Sequence, residues 1–231
     1  HSNQVKLKFI KKFFIFRKGN EVTLHPTPPL RASLIWIHGL GGTGQRWSER
    51  FLTKDIVPPG MRVILPTAPT APVSRNNGEI MTSWFDIKVD YRGKKEYNFS
   101  DAERNSARLR DIVRAEMAEL KEPRKVFVGG FSQGAAMSLH IGLDGACGPL
   151  GGIIPLSGFL FPQTRIAAAP LPIFACHGDK DDRIPLEYAA DSLHRISHFP
   201  QFTFKSLPDL EHKVSAEVTQ SVFNFLSEQI S

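Results

Sequence analysis

Cysteine is scarce: Cys147 and Cys176 are the two in 231 residues. A small secreted scaffold stapled by disulfides needs more, and neither cysteine stands at a metal-ligand spacing. The chain reads as a reduced-thiol, cytoplasmic protein, with Cys176 buried as a small hydrophobe at the end of Leu171-Pro-Ile-Phe-Ala-Cys. No apolar run approaches the ~20 residues that span a bilayer. Lys11-Lys12 interrupt the N-terminal apolar groups before they could form a secretory core. Internal repeats and low-complexity tracts are also lacking. With 41% hydrophobic and 23% charged residues, the composition excludes a collagen, a coiled coil and a disordered tail, and describes one globular domain of generous size.

The charge balance, 29 Lys+Arg against 23 Asp+Glu, has to be located before it is interpreted. Residues 1–18 carry Lys6, Lys8, Lys11, Lys12, Arg17 and Lys18 and no acid, which leaves 23 bases facing 23 acids in the remainder. A surplus confined to one end argues against a nucleic-acid partner. It divides the chain into a basic N-terminal extension, residues 1–24, and a single domain over 25–231. Val5-Lys-Leu-Lys-Phe alternates with period 2 and reads as an edge strand. The same residues drawn as a helix are basic and amphipathic, suited to contact with a membrane surface. His25-Pro-Thr-Pro-Pro reads as the linker or turn that follows.

Beyond it the pattern is regular. Short apolar runs bounded by Gly and Pro occur at 33–37, 62–65, 125–128, 152–156, 173–176 and 202–207. Helical periodicity covers 101–120, with Ser100 in the N-cap position, and 133–143, 186–198 and 214–229. Continuously apolar strands alternating with helices predict a mostly parallel central sheet covered on both faces.

Chemistry concentrates at three places. Lys125-Val-Phe-Val-Gly-Gly-Phe-Ser-Gln-Gly contains G-x-S-x-G, with Ser132 between an incoming strand and an outgoing helix, as a strained nucleophile turn requires. A serine needs a base, and the base an orienting carboxylate. His212 lies in the loop between the last strand and the last helix, where an open α/β sheet places its ligands. His194 and His198 fall on a surface helix and lack a third metal ligand nearby. The loop after the preceding strand, Cys176-His-Gly-Asp-Lys-Asp-Asp, offers Asp179, Asp181 and Asp182, and spacing does not choose among them. Finally, Ile37-His-Gly-Leu-Gly-Gly-Thr-Gly follows a strand with a glycine-rich loop able to bring backbone N–H groups to a substrate carbonyl. It lacks the Lys-Ser/Thr of a phosphate loop, and His38 reads as a structural histidine tying loops together.

In that order, together with Leu65-Pro-Thr-Ala-Pro, Ser83-Trp-Phe-Asp and Gly129-Gly-Phe-Ser-Gln-Gly, these motifs resemble the acyl-protein thioesterase/lysophospholipase family of small carboxylesterases, over roughly residues 30–231. The resemblance implies an α/β-hydrolase fold without metal or cofactor. It picks Asp181 from His177-Gly-Asp-Lys-Asp-Asp-Arg-Ile-Pro as the acid. It further implies Leu40 and Gln133 N–H groups as oxyanion donors and Trp84 as a shaper of the acyl groove. The implied substrates are S-acylated proteins or lipid-like acyl esters, with long-chain thioester cleavage first and lysophospholipid or small-ester cleavage by the same triad as the alternative. The place of action would be the cytoplasm, peripheral to membranes. Gly42 stands where the family commonly carries an acidic residue, and 72–82 and 157–169 match weakly.

Overall fold

The computed structural model describes residues 8–10 and 13–231. Val5–Leu7 of the alternating basic segment lie outside the described residues. Strand β1 (Lys8–Ile10) pairs antiparallel with β2 (Phe13–Lys18), and β2 pairs antiparallel with β3 (Glu21–Pro26). Along β2 the residues alternate as the pleat demands: Phe13 and Ile15 are buried, while Arg17 and Lys18 are exposed. This part of the basic extension thus contributes strands to the sheet and side chains to the core. His25-Pro26 ends β3 rather than opening a linker, and the turn begins after it.

The chain then passes through β4 (Ala32–Ile37), helix α1 (Gly44–Thr53) and β5 (Met61–Leu65). Two small hairpins follow, β6 (Thr70–Val73) with β7 (Glu79–Thr82), and β8 (Ile87–Val89) with β9 (Lys95–Tyr97). Helix α2 (Phe99–Leu120) leads to β10 (Val126–Phe131), α3 (Gln133–Leu143), β11 (Gly152–Leu156), β12 (Ile173–Gly178), α4 (Leu186–Leu193), β13 (Phe202–Leu207) and α5 (Ala216–Ile230). The N-cap of α2 is Asn98, whose side chain accepts the Asp101 N–H at 3.0 Å, so the helix starts earlier than Ser100 suggested. An amide oxygen two residues upstream satisfies an orphan N–H and lets Phe99 and Ser100 enter the first turn.

The nine-stranded sheet has the order β1-β2-β3-β5-β4-β10-β11-β12-β13; the run from β5 to β13 is parallel and the N-terminal edge antiparallel. Alternation along the central strands feeds two cores. Ile35, Ile37, Val126 and Val128 pack toward α2 and α3, while Leu34, Trp36, Phe127 and Cys176 pack toward α1 and α5. Strand β4 is therefore buried throughout, which is why it reads as a continuous apolar run. Ionic contacts fasten helix to sheet: the Arg62 guanidinium donates to both Glu116 oxygens, at 2.8 and 2.9 Å, and Ser33 Oγ donates to Glu116 Oε1 at 3.0 Å.

The architecture also decides where a ligand belongs. From β4 the next parallel strand in the chain, β5, lies on one side, and β10 lies on the other. Loops leaving the carboxyl ends of β4 and β10 consequently diverge, and open a crevice at this switch point.

Candidate active site

Ser132 sits at the crevice, on the turn between β10 and α3, with φ 59° and ψ −116°. That left-handed backbone is strained for a residue with a Cβ, and the neighbours show what allows it. A Cβ on Gly134 would stand 1.8 Å from the Ile37 carbonyl oxygen, and one on Gly130 2.3 Å from the same atom. Glycine at both positions lets β4 cross close beneath the turn. The turn is further pinned by the Ser132 N–H, which donates to the Leu156 carbonyl at 2.9 Å.

Three side chains from three loops meet here. His212 Nε2 lies 2.9 Å from Ser132 Oγ, and His212 Nδ1 lies 2.7 Å from Asp181 Oδ2. A carboxylate acceptor at Nδ1 places the proton there and leaves Nε2 free to accept the serine hydroxyl. The loop Gly178–Ile184 positions Asp181 in turn: its Oδ1 accepts the N–H groups of Arg183 at 2.9 Å and Ile184 at 2.8 Å. Burial opposes ionisation of this carboxyl. The hydrogen bond from His212 and the backbone donors outweigh that opposition and hold its pKa below the ordinary value. Asp179 instead turns away to accept the Asp209 N–H at 2.7 Å, and Asp182 is exposed. Behind the site, buried His177 lies 2.6 Å from the Ile184 carbonyl and is kept neutral chiefly by burial.

Leu40 and Gln133 both border the cavity beside Ser132. Among the described residues neither N–H finds a protein acceptor, whereas the next amides are engaged: Gly41 N–H donates to Thr82 and Gly42 N–H to Gly39. The Gln133 side chain is occupied elsewhere. Its Oε1 accepts the Trp84 N–H at 2.9 Å and its Nε2 donates to the Phe85 carbonyl at 2.7 Å, which fixes the start of α3.

Trp84 is placed differently from the expectation. It is fully buried and does not line the cavity; its Nε1 donates to the His38 carbonyl at 2.9 Å. A buried indole N–H needs an acceptor, and satisfying it draws the ring behind the Gly39–Gly42 loop, where it braces that loop. Its neighbour Phe85 reaches the cavity instead. His38 does tie loops together: its Nε2 accepts the Ala68 N–H at 2.9 Å, so its Nδ1 carries the proton toward the Gly39 carbonyl, 2.6 Å away.

The cavity has a volume of about 370 Å³. One wall is apolar, with Phe85, Ile87, Tyr97, Phe159 and Ile184. Sequence reasoning overlooked the cations among the lining residues: Arg46, Arg50, Arg75, Lys95 and Arg183. Their signal was present, because Arg46 stands two residues past the glycine-rich motif and Arg183 lies within His177–Pro185, but the neutral balance of residues 19–231 concealed a local excess.

Comparisons with known proteins bear on the family and the fold. The Phospholipase/Carboxylesterase family matches residues 18–230. Acyl-protein thioesterase 1 homolog 1 of Dictyostelium discoideum is 34% identical over 218 residues, covering 91% of this chain and 93% of that protein. Acyl-protein thioesterase 1 of Kluyveromyces lactis is 28% identical, covering 87% and 93%. The crystal structure of Zea mays acyl-protein thioesterase 2 superposes with a TM-score of 0.79 at 28% identity, covering 93% of this chain and 100% of that one. A parallel sheet with a serine turn at its switch point, matched along nearly its whole length, belongs to an α/β-hydrolase: the chain is a member of the Phospholipase/Carboxylesterase family.

Proposed function

We propose that the protein is a cofactor-independent serine hydrolase that cleaves long-chain acyl thioesters, acting on S-acylated proteins. The observation that carries this reading is the chain of hydrogen bonds from Ser132 through His212 to Asp181, beside two unengaged N–H groups. On this reading Ser132 Oγ attacks the thioester carbonyl while His212 Nε2 takes its proton. Asp181 holds the imidazole in the required tautomer and stabilises its cation. Leu40 and Gln133 N–H groups receive the oxyanion, one such donor being worth ~3 kcal/mol of barrier. The tetrahedral adduct collapses as its C–S bond breaks and His212 returns the proton to the departing thiolate. Water, deprotonated by the same imidazole, then hydrolyses the acyl-enzyme. The apolar wall of the cavity supports an acyl chain as the group received, and the similarity to acyl-protein thioesterases supports the thioester. Its place of action is the cytoplasm, peripheral to membranes, a reading supported by the basic N-terminal extension, whose Arg17 and Lys18 are exposed.

A series of acyl thioesters of increasing chain length, run beside matched oxygen esters, tests this. Thioesters of long chain should turn over fastest, and Ser132→Ala should lower kcat by about 10⁴-fold or more. A fluorophosphonate should label the wild type and not the variant. Thioester hydrolysis undiminished in Ser132→Ala would overturn the assignment, and faster cleavage of the oxygen esters would transfer it to an esterase or lysophospholipase role.

A further inference from the structure

Among the described residues, three cations of the cavity, Arg75, Lys95 and Arg183, are paired with no carboxylate. Arg75 comes from the turn after β6, Lys95 opens β9, and Arg183 follows Asp181 by two residues, so three separate segments bring positive charge to one pocket. Among the described residues, the side chains of Arg75 and Arg183 make no ion pair, and the Lys95 ammonium donates only to the Arg183 carbonyl. Among the described residues no carboxylate lines the pocket; Asp181 is committed to His212 and backbone donors, and Asp181 and Asp182 offset the burial and neighbouring cations at Lys95 without reversing them. The Lys95 ammonium is pushed below its ordinary pKa, first by burial and then by Arg75 and Arg183. These like charges therefore repel one another in a partly desolvated place, a cost that folding gives no reason to bear.

We infer that Arg75, Lys95 and Arg183 form an anion subsite beside Ser132, and that this enzyme prefers acyl substrates carrying a phosphate or carboxylate near the scissile bond or along the acyl chain. Three cations on different segments can surround anionic oxygens without needing one fixed geometry. The adjoining wall of Ile87, Tyr97, Phe159 and Ile184 receives the apolar part of the same molecule. Arg46 and Arg50 on α1 add positive potential on the side of Trp47, although Arg50 is partly spent on the Val214 carbonyl at 2.5 Å. The field of the pocket thus concentrates anions at the nucleophile. This inference rests on the hydrolase reading and adds to it the charge class of substrate.

Matched eight-carbon thioesters separate the sources of the anion. Octanoyl thioesters of 3-mercaptopropionate, 2-mercaptoethanol and thiocholine vary the leaving group from anionic through neutral to cationic. The 2-mercaptoethanol monothioester of octanedioic acid moves the carboxylate to the far end of the acyl chain. At low salt one anionic substrate should exceed its neutral partner about tenfold in kcat/KM, and the advantage should shrink as salt is added. In Lys95→Met/Arg183→Met the ratio of anionic to neutral should fall toward one, in Arg75→Gln it should fall part of the way, and in Arg183→Lys it should persist. A ratio of one or below in both arms, or a ratio that survives the double substitution, overturns the subsite. Binding of octyl phosphate against octanol to Ser132→Ala, followed by calorimetry, reads the subsite without turnover. Tighter binding of the phosphate, lost with Lys95→Met/Arg183→Met, supports it; equal binding overturns it. Thioesters that are all inert while octyl phosphate still binds would fault the hydrolase reading alone.

Discussion

His38 shows how one side chain can hold a reactive loop by staying uncharged. It is buried, accepts the Ala68 N–H and faces the Gly39 carbonyl, so the loop that presents Leu40 hangs on a neutral imidazole. Burial drives its pKa from 6.5 down to about 4. Between those values the unfolded chain binds a proton that the folded protein refuses. Its contribution to stability is therefore complete above pH 6.5 and is lost as pH falls toward 4. The loss amounts to ~3 kcal/mol by the lower end of the window. Urea unfolding from pH 7 to 4 should show the wild type declining more steeply than His38→Gln by about that amount. Parallel curves would mean that His38 does not titrate this way. Asp181 works in the opposite sense: its depressed pKa favours the charged form, so His212 keeps its partner until the solution becomes strongly acid.

At the scale of elements, the decisive contact is the crossing of β4 under the turn from β10 to α3. Since a Cβ at Gly134 would fall 1.8 Å from the Ile37 oxygen and 2.8 Å from the His38 oxygen, both atoms belonging to backbone, no rotamer change relieves the overlap. Gly134→Ala should force α3 away from β4. We expect it to cost several kcal/mol, beyond the 1–3 usual for overpacking, and to misplace Ser132 and the Gln133 N–H together. Denaturant melts and fluorophosphonate labelling check both parts, and wild-type labelling by a stably folded variant would refute the account. The same crossing explains what was legible. Strands β4, β5, β10, β11 and β12, buried along nearly all their length, announce themselves as apolar runs, the edge strand β13 reads as one although only Leu207 in it is buried, and the glycines around Ser132 mark the turn. Helix α1 and the two small hairpins did not show, because Gly-Gln-Arg-Trp-Ser-Glu-Arg-Phe-Leu-Thr has few apolar positions and the hairpins expose much of their length. Those are the elements that bring Arg46, Arg75 and Lys95 to the cavity, so the triad could be read while the pocket's charge could not. Trp84 was misjudged for a related reason: a motif marks an aromatic residue without telling whether its ring faces the substrate or a carbonyl behind the loop.

At the scale of the molecule, Lys8, Arg17 and Lys18 of the basic surplus in residues 1–18 stand on strands that help to build the sheet. Strand β2 turns Phe13 and Ile15 into the core shared with Val22, Leu24, Leu34 and Val63, and leaves Arg17 and Lys18 on the outside. It also covers β3, whose free edge would otherwise present unpaired N–H and C=O groups. Burial of Phe13 and Ile15 is worth ~1.5–3 kcal/mol each, against a total stability of about 5–15 kcal/mol for a typical domain. Deletion of residues 1–18 should therefore lower the unfolding free energy by ~3–6 kcal/mol and promote association through β3. Arg17→Gln/Lys18→Gln, which removes charge and leaves the apolar face intact, should stay within about 0.5 kcal/mol of the wild type. Chemical unfolding with light scattering on all three proteins separates the two contributions. A truncated chain that unfolds at the wild-type midpoint would show the strand to be dispensable. A charge-neutralised chain as unstable as the truncated one would mean that the cations, rather than the two buried side chains, hold this edge of the sheet in place.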